Sequence, residues 1–244
     1  MRIAFFEVQD WEERFLREGF KGHEVKLFKD LLTEEKLGEV KDFEVVSIFI
    51  YSRITEEILS RLERLRLVAT RSTGFDHVDI EACRKRRVLV SNVPAYSENT
   101  VAEHTFALIL SLSRIIHDSY DRTRRGDFTC EGVQGFDLNG KVLGVLGTGR
   151  IGRRVIEIAK GFGMKVLAHD RYPAMNMAEE LGFRYVDFAN LLQKSDIVTL
   201  HLPLNEETHH FLNKDRISSM KKGSIVINTA RGGLIETVHS LKLC

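Results

Sequence analysis

The stretch KVLGVLGTGRIGRRVIEIA, residues 141–159, decides the fold. Its first part, Val142–Leu146, is a short apolar run that predicts a buried strand, and its last part has the apolar spacing of a helix. Between them, Gly147, Gly149 and Gly152 form the pattern G-x-G-x-x-G. A glycine turn that joins a strand to a helix in this way is typical of dinucleotide-binding proteins.

Each glycine of this turn has its own physical reason. Gly147 permits the tight turn, Gly149 lets the backbone approach a pyrophosphate, and Gly152 lets the helix pack against the strand. The amides of Arg150 and Ile151, at the start of the helix, point at the phosphates with help from the helix dipole. We therefore expect all five residues to bind the cofactor.

An acidic residue follows at the end of the next predicted strand. This residue is Asp170, eighteen positions after Gly152. A carboxylate there accepts hydrogen bonds from the adenosine ribose and repels a 2′-phosphate, which favours NAD over NADP. Arg171 weakens this exclusion, because an arginine can accommodate the phosphate. The alternative is a turn that binds nothing, but the ordered strand, turn, helix, strand and acid argue against it.

Short apolar runs alternate with helical patterns along the rest of the chain. The predicted strands are Arg2–Phe6, Glu24–Phe28, Val45–Ile50, Leu67–Thr70 and Val88–Ser91, then Val142–Leu146, Lys165–His169, Arg184–Val186, Ile197–Leu200 and Ser224–Asn228. This alternation predicts an α/β protein with parallel sheets covered by helices, among them a helix over Thr55–Leu65 that Thr55 caps. One long helix, Thr100–Arg125, separates the two sets of strands. We therefore predict two domains, residues 1–98 and residues 99–244.

Composition and charge exclude several classes of protein. Apolar residues make up 43% of the 244 residues, which is enough for a packed core. The formal net charge of +1 gives no reason to expect a nucleic-acid partner or an acidic membrane surface. The three cysteines lack metal or redox spacing and no targeting segment is visible, so we expect a soluble cytoplasmic protein. The pair His209-His210 has no acidic or cysteine neighbours at ligand spacing, so no metal is expected.

Several motifs outside the glycine turn point to one family. They are RSTGFDHVD (71–79), NVPAYS (92–97), TVAEH (100–104), HLP (201–203) and NTARGG (228–233). Together with the turn, and in this order, they resemble the D-2-hydroxyacid dehydrogenase family, most closely its D-lactate dehydrogenase-like members. The resemblance implies a flavodoxin-like substrate domain plus a Rossmann NAD-binding domain, with the active site in the cleft between them. It also implies NAD-dependent interconversion of a small, pyruvate-like 2-oxo acid and a D-lactate-like D-2-hydroxy acid.

The resemblance also assigns roles to residues. Arg231 matches the catalytic arginine, whose planar fork binds the substrate carboxylate and polarises its carbonyl. The amides of Thr73 and Gly74 would hold the same carboxylate, and Tyr96 and Tyr51 would border the substrate side chain. Five further residues would contact the cofactor, namely Leu202, Pro203, Thr208, Thr229 and Ala230. Taken alone, Arg231 could be a surface or capping arginine, and Tyr51 could be an ordinary core residue.

The resemblance fades after Glu236. The family's catalytic glutamate and histidine, which supply the proton, lie well downstream of the arginine, so we expect a C-terminally truncated domain. Glu236 and His239 follow Arg231 too closely to take their places. Loss of a positioned proton donor typically costs about 10²–10⁴-fold in rate, so we expect impaired turnover. The alternatives are a non-catalytic NAD(H)-binding sensor or partner-binding protein, and a truncated inactive gene product.

The oligomeric state is indicated by one helix. The segment Thr100–Arg114 is apolar around more of its circumference than one core-facing stripe needs. In the resembling family this region contributes to a two-fold dimer, and we therefore expect a homodimer. The alternative is a helix buried between the two domains.

Overall fold

The computed structural model describes residues 1–236, so the predictions that involve His239 and the tail 237–244 lie outside the described residues. The chain forms two compact units, of which the first is Met1–Tyr96 and the second begins at Ser97. The predicted boundary, after residue 98, lies two residues later. The assignment of the first unit to the substrate stays a prediction.

The first unit is a sheet of five parallel strands with helices between them. Its elements are β1 (Arg2–Phe5), α1 (Asp10–Gly19), β2 (Glu24–Leu27), α2 (Leu37–Val40), β3 (Val45–Ile48), α3 (Glu56–Ser60), β4 (Leu67–Thr70), α4 (Ile80–Lys85) and β5 (Leu89–Ser91). The strand order is β2-β1-β3-β4-β5, which is the flavodoxin-like order. The core consists of apolar side chains from the strands and helices, such as Val46, Ile48 and Leu59.

Helix α3 is shorter than the predicted helix over Thr55–Leu65. Thr55 caps it as predicted, since its hydroxyl accepts a hydrogen bond from the Ile58 amide at 3.4 Å. After Ser60 the backbone bonds span three residues instead of four, as from Leu62 N to Leu59 O. These tighter turns bury the side chains of Leu62 and Leu65, so packing against the sheet ends the regular helix early.

The second unit is another sheet of five parallel strands. Its elements are α5 (Glu98–Ser113), α6 (Ile116–Arg124), β6 (Val142–Leu146), α7 (Arg150–Gly161), β7 (Lys165–His169), α8 (Met175–Leu181), β8 (Arg184–Tyr185), α9 (Phe188–Lys194), β9 (Ile197–Leu200), α10 (Lys214–Ser218) and β10 (Ile225–Asn228). The strand order is β10-β9-β6-β7-β8. With β6 as the first strand, this is the Rossmann order for five strands.

The prediction of one long helix over Thr100–Arg125 is wrong. The helix breaks between α5 and α6 at Ile115, whose backbone is left-handed with φ 51° and ψ 44°. The Ser113 carbonyl accepts a hydrogen bond from the Phe136 amide at 2.9 Å. A Cβ on Gly135 would lie 2.1 Å from this oxygen, so only glycine permits the approach. The Phe136 amide thus donates to a carbonyl that, in a continuous helix, would accept a hydrogen bond from the next turn. None of the helices within residues 1–236 combines the length and apolarity needed to cross a bilayer.

Candidate cofactor and substrate site

The predicted cofactor residues lie at one edge of the second sheet. Gly147, Asp170 and Thr229 directly follow β6, β7 and β10, respectively, and Leu202 lies two residues after the end of β9. Because these strands are parallel, their carboxyl ends share one edge. The chain runs from β6 outward to β8 on one side and resumes with β9 on the other. The β6–β9 junction is therefore the switch point at which open α/β sheets bind ligands.

The three glycines of the turn differ in what surrounds them. Gly147 has φ 92°, and a Cβ there would lie 2.6 Å from the His201 carbonyl oxygen. A Cβ on Gly152 would lie 2.0 Å from the Gly147 carbonyl oxygen. A Cβ on Gly149, the N-cap of α7, would meet nothing within 4 Å. The protein's own packing therefore requires two of the glycines, while the third leaves open space at the amino end of a helix, where a phosphate fits.

Asp170 is anchored to the glycine turn. Its carboxylate accepts hydrogen bonds from the backbone amide and hydroxyl of Thr148 at 2.6 and 2.9 Å, and from the Tyr172 amide at 2.8 Å. Burial favours the neutral acid, but these hydrogen bonds, led by those of the two amides, outweigh it and lower the pKa of Asp170. The group is therefore ionised at neutral pH, as a ribose-binding carboxylate must be.

Sequence reasoning missed the residues that support Asp170. The Thr148 hydroxyl lies 2.8 Å from the Tyr185 hydroxyl, which accepts a hydrogen bond from the Ala174 amide at 3.2 Å. Since the only Thr148 hydroxyl proton goes to the carboxylate, Tyr185 donates to Thr148. The x position of a G-x-G pattern carries no signal of this role, because its partner Tyr185 is 37 residues away.

His201 is half-buried at the same edge of the sheet. Its Nε2 lies 3.0 Å from the Thr199 hydroxyl, and its backbone amide donates to the Leu146 carbonyl. Loss of hydration lowers the pKa of the imidazole to about 4. The ring is therefore neutral at physiological pH, which suits an orienting role better than proton donation.

This shift predicts a pH-dependent stability. Because the His201 pKa falls from 6.5 to about 4 on folding, the unfolded chain binds more protons between these values. The free energy of unfolding should fall by about 2–3 kcal/mol as the pH drops from 6.5 to 4. Urea unfolding of the wild type and His201→Gln, compared at pH 7.5 and 4.5, measures the histidine's share. An equal pH dependence in the two proteins would contradict the prediction.

The segment after β9 holds Leu202, Pro203 and Thr208. Leu202 is half-buried and packs on the apolar cluster around β9, while Pro203 is exposed. The Thr208 hydroxyl donates to the Pro203 carbonyl at 2.5 Å and accepts from the Asn205 amide at 2.8 Å. Thr208 thus organises its own loop, and its contact with the cofactor stays a prediction.

The segment Thr229–Arg231 is shaped by two residues that sequence reasoning missed. The Asn228 side chain donates to the Arg231 carbonyl at 2.8 Å and accepts from the Ala230 amide at 3.0 Å. The Thr229 hydroxyl lies 3.0 Å from that of Thr105 on α5. Arg231 is exposed, and its Nη1 donates to the Ala230 carbonyl at 3.1 Å. An asparagine two residues before a turn amide is a recognisable Asx-turn signal, whereas Thr105 carries none.

The predicted substrate residues of the first unit follow β3, β4 and β5. Within residues 1–236, neither the Thr73 amide nor the Gly74 amide donates a hydrogen bond to the protein, and the buried Thr73 hydroxyl has no partner. The Asn92 side chain donates to the Thr73 carbonyl at 2.8 Å. Tyr51 is 71% exposed and Tyr96 55% exposed, so the alternative that Tyr51 is a core residue is wrong.

Two other features bear on the chemistry. Across the described part of the chain, no group of three or more His, Cys, Asp or Glu side chains is arranged to hold a metal. The Glu236 carboxylate accepts a hydrogen bond from the Lys214 amide at 3.1 Å, at the start of α10. Glu236 therefore accepts a hydrogen bond from the first amide of α10, next to the N-cap residue Asn213.

Comparison with known proteins places the second unit in one family. The sequence model for the D-isomer specific 2-hydroxyacid dehydrogenase, NAD binding domain, matches residues 106–242, more than half of the chain. The D-lactate dehydrogenase of Escherichia coli (strain K12) is 39% identical over 99% of this chain and 74% of its own length. A 2-hydroxyacid dehydrogenase homolog of Schizosaccharomyces pombe is 41% identical over 99% of this chain and 74% of its own.

A solved structure extends the similarity to the fold. It is the D-lactate dehydrogenase from Aquifex aeolicus complexed with NAD and lactic acid, which is 40% identical with a TM-score of 0.93. The match covers 98% of this chain and 72% of that one.

Proposed function

Since the chain belongs to the D-isomer specific 2-hydroxyacid dehydrogenase family, we propose that it interconverts a pyruvate-like 2-oxo acid and a D-lactate-like D-2-hydroxy acid. Its cofactor is NAD, as the matched NAD-binding domain and the sequence analysis both indicate. When bound, NAD supplies the hydride donor or acceptor of the reaction. The protein's residues then have to bind the acid, orient its carbonyl and exclude water.

The proposal rests on one observation above the others. Three predicted site residues lie at the carboxyl edge of the second sheet. Gly149, which has open space beside it, follows β6, and Asp170 follows the adjacent strand β7. Arg231 follows β10, which is two strands from β6 on the other side. The open space that we propose for a phosphate, the carboxylate that we propose for the ribose and an exposed guanidinium thus lie on a single edge. Arg231 would bind the substrate carboxylate and polarise the reacting carbonyl, because developing negative charge is stabilised by its fork.

The first unit would supply the remaining contacts to the acid. We propose that the amides of Thr73 and Gly74 donate to its carboxylate, since neither is used by another described residue. The Thr73 hydroxyl, which has no partner within residues 1–236, would add a third donor. The exposed rings of Tyr51 and Tyr96 would border the substrate side chain.

The proposal is tested by mixing the full chain with NADH and pyruvate while following cofactor fluorescence and absorbance. Oxamate, an unreactive isostere of pyruvate, reports binding where reduction is slow. Saturable NADH binding followed by reduction to D-lactate is the expected result for an enzyme. NADH binding without oxamate binding or reduction would contradict the proposal and favour a sensor.

Preference for NAD over NADP should depend on Asp170. Asp170→Asn removes the charge but keeps the shape, so we expect NADH affinity to fall about tenfold as a charged hydrogen bond is lost. NADPH affinity should rise, because the 2′-phosphate is no longer repelled. Fluorescence titration with both cofactors measures the change. Asp187→Asn is the control, since Asp187 caps α9 through the Asn190 amide and asparagine caps equally well.

We also propose that the chain is a homodimer. Leu112 at the end of α5 and Ile116 and Tyr120 on α6 are exposed apolar side chains close together in sequence, as at protein interfaces. Light scattering should give twice the chain mass of 28.0 kDa. Leu112→Glu should give monomers, whereas Leu89→Glu, at an exposed residue of the first unit, should leave the dimer intact. A monomeric wild type would refute this proposal.

A further inference from the structure

Glu7 is a buried acidic residue that the NAD site does not explain. It follows β1, is 5% exposed, and has the left-handed backbone conformation with φ 59°. Non-glycine residues occupy this region only where the surrounding structure holds them, and such residues cluster at functional sites. The contacts of its carboxylate show which segment of the chain Glu7 holds in place.

The Glu7 carboxylate accepts three backbone hydrogen bonds from the segment after β3. The donors are the amides of Phe49 and Tyr51, both at 2.7 Å, and of Ser52 at 3.3 Å. Amides that donate to a carboxylate form stronger hydrogen bonds than amides that donate to neutral groups. Glu7 therefore fixes the backbone on either side of the Tyr51 Cα atom.

Arg71 reinforces this arrangement from the end of β4. Its Nη2 donates to the carbonyls of Phe6 and Glu7 at 2.8 and 3.2 Å, and its Nη1 donates to the Ser47 hydroxyl at 3.1 Å. The rigid guanidinium fork suits such multiple contacts. Glu7 and Arg71 thus tie together the carboxyl ends of β1, β3 and β4, and Arg71 lies two residues before Thr73.

The placement in the sheet gives this network a functional meaning. In the order β2-β1-β3-β4-β5 the switch point lies between β1 and β3, the strands that Glu7 connects. The Tyr51 side chain is exposed although its backbone is held on both sides. A side chain on a fixed backbone limits the size of a ligand, whereas one on a loose loop yields to it.

We propose that Glu7 is a positioning residue that holds Tyr51 as the size limit for the side chain of the 2-oxo acid. This inference rests on the proposed function. It adds Glu7 to the residues that determine which acid binds, and Glu7 acts through the backbone of residues 49–52.

A double-mutant cycle of Glu7→Gln and Tyr51→Ala tests this inference. In glutamine an NH₂ group replaces one accepting oxygen, so the segment 49–52 should loosen. The preference for pyruvate over phenylpyruvate, as a ratio of kcat/KM or of dissociation constants in the presence of NADH, should fall about tenfold. The change should appear in KM more than in kcat, with NADH affinity unchanged. In the Tyr51→Ala background, Glu7→Gln should change the ratio less than about twofold.

Two results would overturn the inference while leaving the proposed function intact. One is an unchanged ratio in Glu7→Gln, and the other is an equal change in both backgrounds, which would indicate a general structural role. A wild type that binds neither acid would instead overturn the proposed function and this inference with it. Glu18→Gln is the matched control, because within residues 1–236 the Glu18 carboxylate forms just an exposed ion pair with Arg14.

Hydrogen exchange of the wild type tests the same point without any variant. The amides of Phe49, Tyr51 and Ser52 should be protected although they lie outside the strands. Exchange of the Tyr51 amide at the rate of a free amide would overturn the inference even if Glu7→Gln failed to fold.

Discussion

Gly152→Ala is expected to lower NADH affinity by more than about 100-fold and the free energy of unfolding by about 1–3 kcal/mol. The added Cβ would lie 2.0 Å from the Gly147 carbonyl oxygen and 3.0 Å from its carbon. Both atoms are backbone, so no side chain can rotate out of the way. Either α7 moves off β6 or the turn opens, and each change displaces the amides that we propose bind the pyrophosphate. Fluorescence titration with NADH and urea unfolding measure the two effects.

Two other glycines of the same segment separate folding from binding. Gly149→Ala adds a Cβ where nothing lies within 4 Å, so stability should change little while the cofactor is blocked. Gly161→Ala, at the end of α7, also adds a Cβ in open space. It should retain wild-type affinity and gain up to about 1 kcal/mol of stability. Wild-type NADH affinity in Gly149→Ala would refute the pyrophosphate role of this position.

Arg231→Lys is expected to lower kcat/KM for pyruvate, or oxamate affinity in the presence of NADH, by about 100-fold. Lysine keeps the positive charge but loses the planar fork that pairs with a carboxylate and a carbonyl. NADH affinity should stay at the wild-type value, because the dinucleotide residues are unchanged. Arg184→Lys, on the exposed edge strand β8, controls for the loss of a guanidinium. Equal oxamate binding by wild type and Arg231→Lys would show that Arg231 does not bind the substrate carboxylate.

The strands could be predicted from the sequence, whereas the ends of the helices could not. Each of the ten predicted strands is present, with ends that differ by at most two residues. A buried parallel strand is a contiguous apolar run, so its signal is local. The break at Ile115 is different, because it depends on the Phe136 amide reaching the Ser113 carbonyl from 23 residues away. No pattern around Ile115 itself carries that information.

The same distinction applies to the site. The glycine turn and Asp170 could be found because their spacing along the chain is the signal. Thr105, which contacts Thr229, and Glu7, which holds the Tyr51 amide, could not, because their partners are 124 and 44 residues away. From the sequence Tyr51 could be either a core residue or a surface residue, and only its exposure in the folded structure decided between them.

The sequence by itself determined that the chain is an α/β protein with, at residues 147–152, a glycine turn typical of NAD-binding domains. A strand, a turn, a helix and an acid follow one another there, and each is specified by neighbouring residues. Only the tertiary structure decided what holds that turn and the segment 49–52 in place. The Asp170 carboxylate is bound by Thr148 and the Glu7 carboxylate by three amides. Such contacts form where parallel strands end side by side, and the order of strands in a sheet cannot be read from local spacing.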